Sequence, residues 1–200
     1  MTSSDDRRFA RAIAAIDAAN SEDPNRVVVA GRERARELAQ AEFATAWLER
    51  LVANPGEALQ LAVRAHHLRR WTSPRSDHPV GRAGYLRWRK ALQRRHAEQV
   101  AVILESVGYP ADVVARVQAI VQKVGLGVDP EVQVFEDALC LVFVETELEA
   151  FAGKHPGDKA AEVLRKTLRK MSPEARRLAL GLELAAPVRA LLARALDALG

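Results

Sequence analysis

Two adjacent histidines, His66 and His67, close an apolar stretch, Leu61 to Trp71, that runs straight into arginines. On a 3.6-residue wheel Ala58, Leu61, Ala62, Val63, Ala65 and Leu68 form an apolar arc that contains His66, with His67 at its edge beside Val63. A neutral imidazole inside a core needs a hydrogen bond or a metal ion for its nitrogens, so the pair calls for partners from elsewhere in the chain. Glu42, His96, Lys123, Glu136 and Asp137 all stand next to core-forming positions. Imidazoles and carboxylates that converge inside a helical bundle suit a divalent first-row metal. The competing reading of each residue is structural: a buried histidine bonded to a carbonyl or carboxylate, or an acid placed by a helix dipole.

The elements that must position these groups read as helices almost throughout, and no run alternates well enough for a sheet. The expectation is an all-α single domain over residues 1–200. Helices are predicted over Asp5 to Ala19 with Ser3 or Ser4 as cap, Arg32 to Ala53, Glu57 to Trp71, Tyr85 to Val107, Ala111 to Val124 and Glu131 to Phe151. The segment Asn20 to Arg26 is expected to be a loop, as is Thr72 to Gly84. Gly108 and Gly125 serve as helix stops, and Asp129-Pro130 as a start. The tail, Lys159 to Leu199, reads as two or three amphipathic helices broken near Ser172-Pro173 and Pro187.

Composition narrows the class. Two hundred residues, 48% of them hydrophobic, suffice for one buried core. Acidic Asp5, Asp6 and Asp17 argue against a secretory signal, and no stretch reaches the ~18 apolar residues of a membrane helix. A cytoplasmic protein with no membrane partner is expected. The single cysteine, Cys140, lies in the apolar run Ala138 to Val144 and reads as inert packing. His78 and His155 fall in expected exposed loops and are assigned no role. The net charge of +4 is mild, but basic residues far outnumber acidic ones from Arg64 to Arg95, which favours an anionic ligand.

The run from Arg64 through Glu145 resembles the HD superfamily of helical metal-dependent phosphohydrolases. A-H-H-L at Ala65 to Leu68 lies where that family has its His-Asp pair; the stretch from His96 to Pro110 resembles its later histidine helix; E-D-A-L-C at Glu136 to Cys140 resembles its terminal aspartate. Two departures stand out: His67 replaces the paired aspartate, and no histidine precedes His66. More closely, H-H-L-R-R-W, Pro74-Arg75, G-Y-L-R-W-R and E-D-A-L-C-L-V-F-V-E resemble a bacterial and fungal family designated domain of unknown function 4202, which implies no particular activity.

The HD resemblance implies a helical core over about residues 32–151, a C-terminal extension over about 159–199, and a divalent metal (Mn, Fe, Ni, Zn or Mg). Its ligands would be His66 or His67, His96, Asp137 and, in place of the missing histidine, Glu42, with Glu33 and Glu37 as poorer substitutes. Glu136 would act as general base or as a partner of the ligands. Arg69, Arg70, Arg75 and Lys123 would balance charge on a phosphate, Arg89 belongs to the same basic stretch, and Trp71, Tyr85 or Trp88 would stack on a base. The expected substrate is a nucleotide-like phosphate ester. Two alternatives stay open: a non-catalytic domain with a degenerate HD site that binds a nucleotide or RNA without hydrolysis, and a homo-oligomeric scaffold.

Overall fold

The computed structural model describes residues 4–155 and 158–199; of the two proposed caps of the first helix, Ser3 lies outside them. The described residues form α1 (Ser4–Ser21), a hairpin of β1 (Arg26–Val29) and β2 (Arg32–Ala35), α2 (Arg36–Leu51), α3 (Glu57–Arg64), α4 (Gly81–Ser106), α5 (Ala111–Val121), α6 (Pro130–Val142), α7 (Leu148–Lys154), α8 (Asp158–Leu168), α9 (Pro173–Leu180) and α10 (Ala186–Asp197). The fold is all-α apart from the hairpin. Among the described residues no helix is long and apolar enough to cross a membrane.

Helices α2, α3, α5 and α6 pack mutually around fully buried Trp47, Leu61, Ile120 and Phe135, and α4 packs along α5. Leu164 and Leu168 of α8 and Leu192 of α10 belong to the same apolar cluster. Local signals account for many of the ends. Asp129 accepts hydrogen bonds from the amides of Glu131 (3.0 Å) and Val132 (3.3 Å) and Pro130 opens α6, a sequence-readable N-cap. Arg116 forks onto the same carboxylate at 2.6 and 3.0 Å and holds it down at a pKa of about 2. The C-terminal breaks at Ser172-Pro173 and Pro187 occur where expected, and they separate three helices.

Three expectations are corrected. The expected loop and helix start between Asn20 and Arg36 hold the antiparallel hairpin, with Val29 paired to Arg32. Three successive valines favour the strand, and Ala30 and Gly31 both take positive φ (49° and 76°), the turn that two-residue hairpins need. The third helix stops at Arg64 instead of Trp71. Beyond it the chain makes tight turns, with Leu68 N bonded to Ala65 O and Arg70 N to His67 O, each at 3.0 Å, and Arg69 takes a left-handed φ of 50°. The expected single helix from Glu131 to Phe151 is interrupted by a π-helical segment, Phe143–Glu147, between α6 and α7. Helix α2 braces that segment: Trp47 Nε1 donates to Glu145 (2.7 Å), Gln40 Nε2 to Thr146 (3.1 Å) and Arg36 to Glu147 (2.9 Å). Such single-turn widenings recur at functional sites because they rotate side chains off the regular helical faces.

Gly84 has a packing reason that its position on α4 does not reveal. A Cβ there would meet Pro79 O at 1.9 Å, so only glycine lets the 72–80 loop fold against the helix. Arg75 clamps that loop by donating to the carbonyls of His78 and Pro79, both at 2.8 Å, and Trp88 Nε1 donates to Ser73 O at 3.0 Å.

Candidate functional site

Because α3 ends before the histidines, His66 and His67 do not diverge by the 100° of helical neighbours. Their rings lie side by side, centroids 4.2 Å apart, and the His96 ring follows 6.0 Å from that of His67. All three line one cavity of about 340 Å³. His66 Nδ1 is 2.9 Å from Val63 O, and His96 Nδ1 is 2.8 Å from Leu68 O. A carbonyl only accepts, so both rings carry their proton on Nδ1, which leaves the Nε2 lone pair available. Burial keeps the three imidazoles neutral. It lowers His66 and His67 well below the usual range, helped for His67 by nearby Arg70, and it lowers His96 to about 4.

Behind His67 stands Glu37, the first residue of the inward stripe of α2. Its carboxylate Oε2 lies 3.2 Å from His67 Nδ1, but the two are not aligned as a hydrogen bond, and both atoms are buried without another partner. Burial raises the Glu37 carboxyl above its ordinary range despite the opposing pull of Arg70. Rotated into alignment, a carboxylate in that position would fix the tautomer of the ring and raise its basicity. The residue ranked as a poorer substitute is therefore the one at the site. The signal for it was present: Glu37, Gln40, Ala44, Trp47 and Leu48 share the buried face of α2, whereas Glu42 sits off that face.

Glu42 is elsewhere. Its carboxylate takes a forked ion pair from Arg34 at 2.5 and 2.7 Å, beside the Arg64–Asp17 pair on the far side of α2. Glu33 lies exposed on the hairpin. Asp137 is buried but turned from the cavity lining: it accepts from Ser172 N at 2.8 Å and Gln133 Nε2 at 3.0 Å, and so fastens the turn that opens α9. Replacing Asp137 with alanine should lower stability by ~1–3 kcal/mol, the cost of leaving buried donors unpaired; denaturant unfolding measures it, and unchanged stability would contradict the assignment.

Glu136 does reach the cavity, where Lys123 and Lys170 both pair with it, the latter at 3.2 Å. The two ammonium groups outweigh its burial and lower its pKa. Lys123 gets there from an unusual backbone position. It ends α5 in the left-handed region, φ 59°, with its amide bonded to Ile120 O and that of Val124 to Ala119 O, a C-terminal motif that usually takes glycine. Cys140 Sγ lies 3.7 Å from Glu136, and burial raises its thiol pKa, so it stays protonated.

Of the expected phosphate holders, Arg70 and Arg89 line the cavity and Arg69 and Arg75 do not. Arg69 points toward Glu22, 3.9 Å away, and Arg75 is committed to the loop carbonyls. Tyr85 and Trp88 line it, rings 5.9 Å apart, whereas Trp71 remains outside. His78 and His155 are half-buried and not exposed: His78 Nε2 meets Ser73 Oγ at 3.3 Å and His155 packs edge-on against Phe151. Phe143, Leu139, Phe151 and Val163 give the wall an apolar side, and Gln40, Gln93 and Thr167 add uncharged polar groups.

The chemistry of three neutral imidazoles, two of them anchored through Nδ1 to carbonyls, suits metal ligation. In the arrangement described, however, no three His, Cys, Asp or Glu side chains among the described residues are grouped as a metal-holding set. The donor types fit such an ion, and a ligand set would need His67, His96 and their neighbours to draw closer together.

A family model described as Domain of unknown function (DUF4202) matches residues 10–192 of the chain. No curated protein and no solved structure shows significant similarity to it.

Proposed function

The chain belongs to the DUF4202 family, and from that premise and the cavity we propose that it binds a nucleotide-like phosphate ester and hydrolyses it. One observation carries the reading: three neutral imidazoles, one of them with the buried Glu37 carboxyl behind it, line the same cavity as Arg70, Arg89, Tyr85 and Trp88. The arginines hold phosphate oxygens through planar, charge-assisted hydrogen bonds, and the rings and apolar wall take the organic body. His67, backed by Glu37, accepts a proton from water as its oxygen attacks phosphorus. The ester P–O bond breaks, the departing oxygen is protonated, and the products are an alcohol and a phosphate. His66, His67 and His96 are also the residues that would hold a divalent ion; such an ion would make hydroxide available from bound water near neutral pH and would take the place of His67 as the base.

A second reading, binding without turnover, is favoured by a specific feature: Glu136, the expected base, is saturated by Lys123 and Lys170. Untagged protein assayed for phosphate release from aryl phosphates, nucleotides and cyclic nucleotides, with and without Mn²⁺, Zn²⁺ or Mg²⁺, separates the two. Turnover that rises with one of these ions and is lost in His96→Ala supports hydrolysis. Ligand binding with no turnover under any of these conditions would overturn it in favour of the second reading.

A further inference from the structure

The charge of the cavity specifies the kind of phosphate it takes, an inference that rests on the phosphate-ester reading. Four cations, Arg70, Arg89, Lys123 and Lys170, line the enclosure against two carboxylates, Glu136 and Glu147. Glu147 is already matched by Arg36 at 2.9 Å, so of the lining carboxylates Glu136 alone opposes the four; Glu37, behind His67, is near enough to Arg70 to feel its charge, and two positive charges remain without a counter-charge. The imidazoles are neutral and add nothing. Among the described residues neither Arg70 nor Arg89 has a carboxylate within ion-pair distance; Arg89 Nη1 reaches only Tyr85 Oη, at 3.4 Å, and Arg70 lies 5.9 Å from the Trp88 ring.

Such an excess lining one cavity is costly unless the ligand cancels it, because charges facing its buried side are only partly screened. A phosphodiester brings one negative charge and leaves half of the excess standing. A terminal phosphate carries about −1.5 to −2 near neutral pH, and a diphosphate carries more. We infer that the ligand is a nucleotide-like molecule with a terminal phosphate or diphosphate, and that an internal phosphodiester is discriminated against. The apolar side chains of Phe143, Phe151, Leu139 and Val163 favour an uncharged body behind that head. Cleavage of the ester bond releases the alcohol with inorganic phosphate from a terminal phosphate and with pyrophosphate from a diphosphate.

Calorimetric titration of the purified protein in EDTA, at pH 8, with pyrophosphate, AMP, ADP and 3′,5′-cyclic AMP tests this directly. The expected order places pyrophosphate, AMP and ADP at least about tenfold tighter than cyclic AMP, the size of one charge-assisted contact. Arg89→Gln and Lys170→Gln, both partly exposed positions that should still fold, each reduce that ratio, whereas Arg87→Gln, on the outward face of α4, does not. Equal affinity for the diester and the terminal phosphates overturns the inference and leaves the phosphate-ester reading standing. Failure of all four probes, pyrophosphate included, overturns that reading and the inference with it.

Discussion

Alanine at position 67 is expected to reduce phosphate release from the best substrate by ~10²–10⁴-fold, the usual contribution of a positioned general base. His67 is the imidazole with a carboxylate behind it and the cavity before it. Glu37→Gln should reproduce much of that loss without touching the ligand, since an amide neither raises the basicity of the ring nor shares its proton. Stability moves the other way. Burial raises the Glu37 carboxyl, so its folded-state pKa exceeds its unfolded one. The group therefore contributes stability below the unfolded pKa and loses it as pH rises through the folded value. Glutamine removes that penalty and should melt higher than the parent protein at pH 8. A Glu37→Gln variant with full turnover would make the carboxylate a bystander, and full turnover in His67→Ala would remove the proposed base.

Acid should destabilise the fold early. All three cavity imidazoles have folded-state pKa values below the ordinary 6.5, with His96 near 4. The folded state binds fewer protons than the unfolded chain between those limits, so the stabilisation is complete above pH 6.5 and fades as pH falls toward 4. For His96 alone the loss between pH 7 and 5 is about 2 kcal/mol, on the order of 5 °C in Tm for a chain of this size. His66 adds in the same direction. Scanning calorimetry at pH 7.5, 6 and 5 should record the fall, and His96→Gln should flatten it. Glu37, with its raised carboxyl pKa, works in the opposite direction, so a melting temperature level across that range in the Glu37→Gln variant would mean that the imidazoles are not buried neutral. Asp129, held at about 2 by Arg116, contributes stability that survives until well below this window and so does not confuse the comparison.

Much of this architecture was legible in the residues themselves. The 3.6-residue pattern located nearly every helix, Asp129-Pro130 and Ser172-Pro173 marked helix starts, and Gly108, with φ of 89°, marked an end, because caps and stops depend on a few neighbouring atoms. The histidines, His96, Lys123, Glu136, Tyr85 and Arg89 were picked as site residues, and the structure brings them to one cavity. The sequence determined that there would be helices with polar groups on their inner faces. The tertiary structure decided which polar groups meet. Whether α3 ended at Arg64 or ran on to Trp71 fixed whether two imidazoles diverged or lay side by side, and that depended on the Arg69 backbone and on packing against α2 and α4. In sequence Glu42 reads as a better ligand than Glu37, and Asp137 reads as a ligand beside Glu136. Arg34 and the Ser172 amide, distant along the chain or set by a separate turn, claimed Glu42 and Asp137, and left Glu37 behind His67 and Glu136 between two lysines. Pairing of a carboxylate is a competition among partners brought together only by folding, and no local pattern records its outcome.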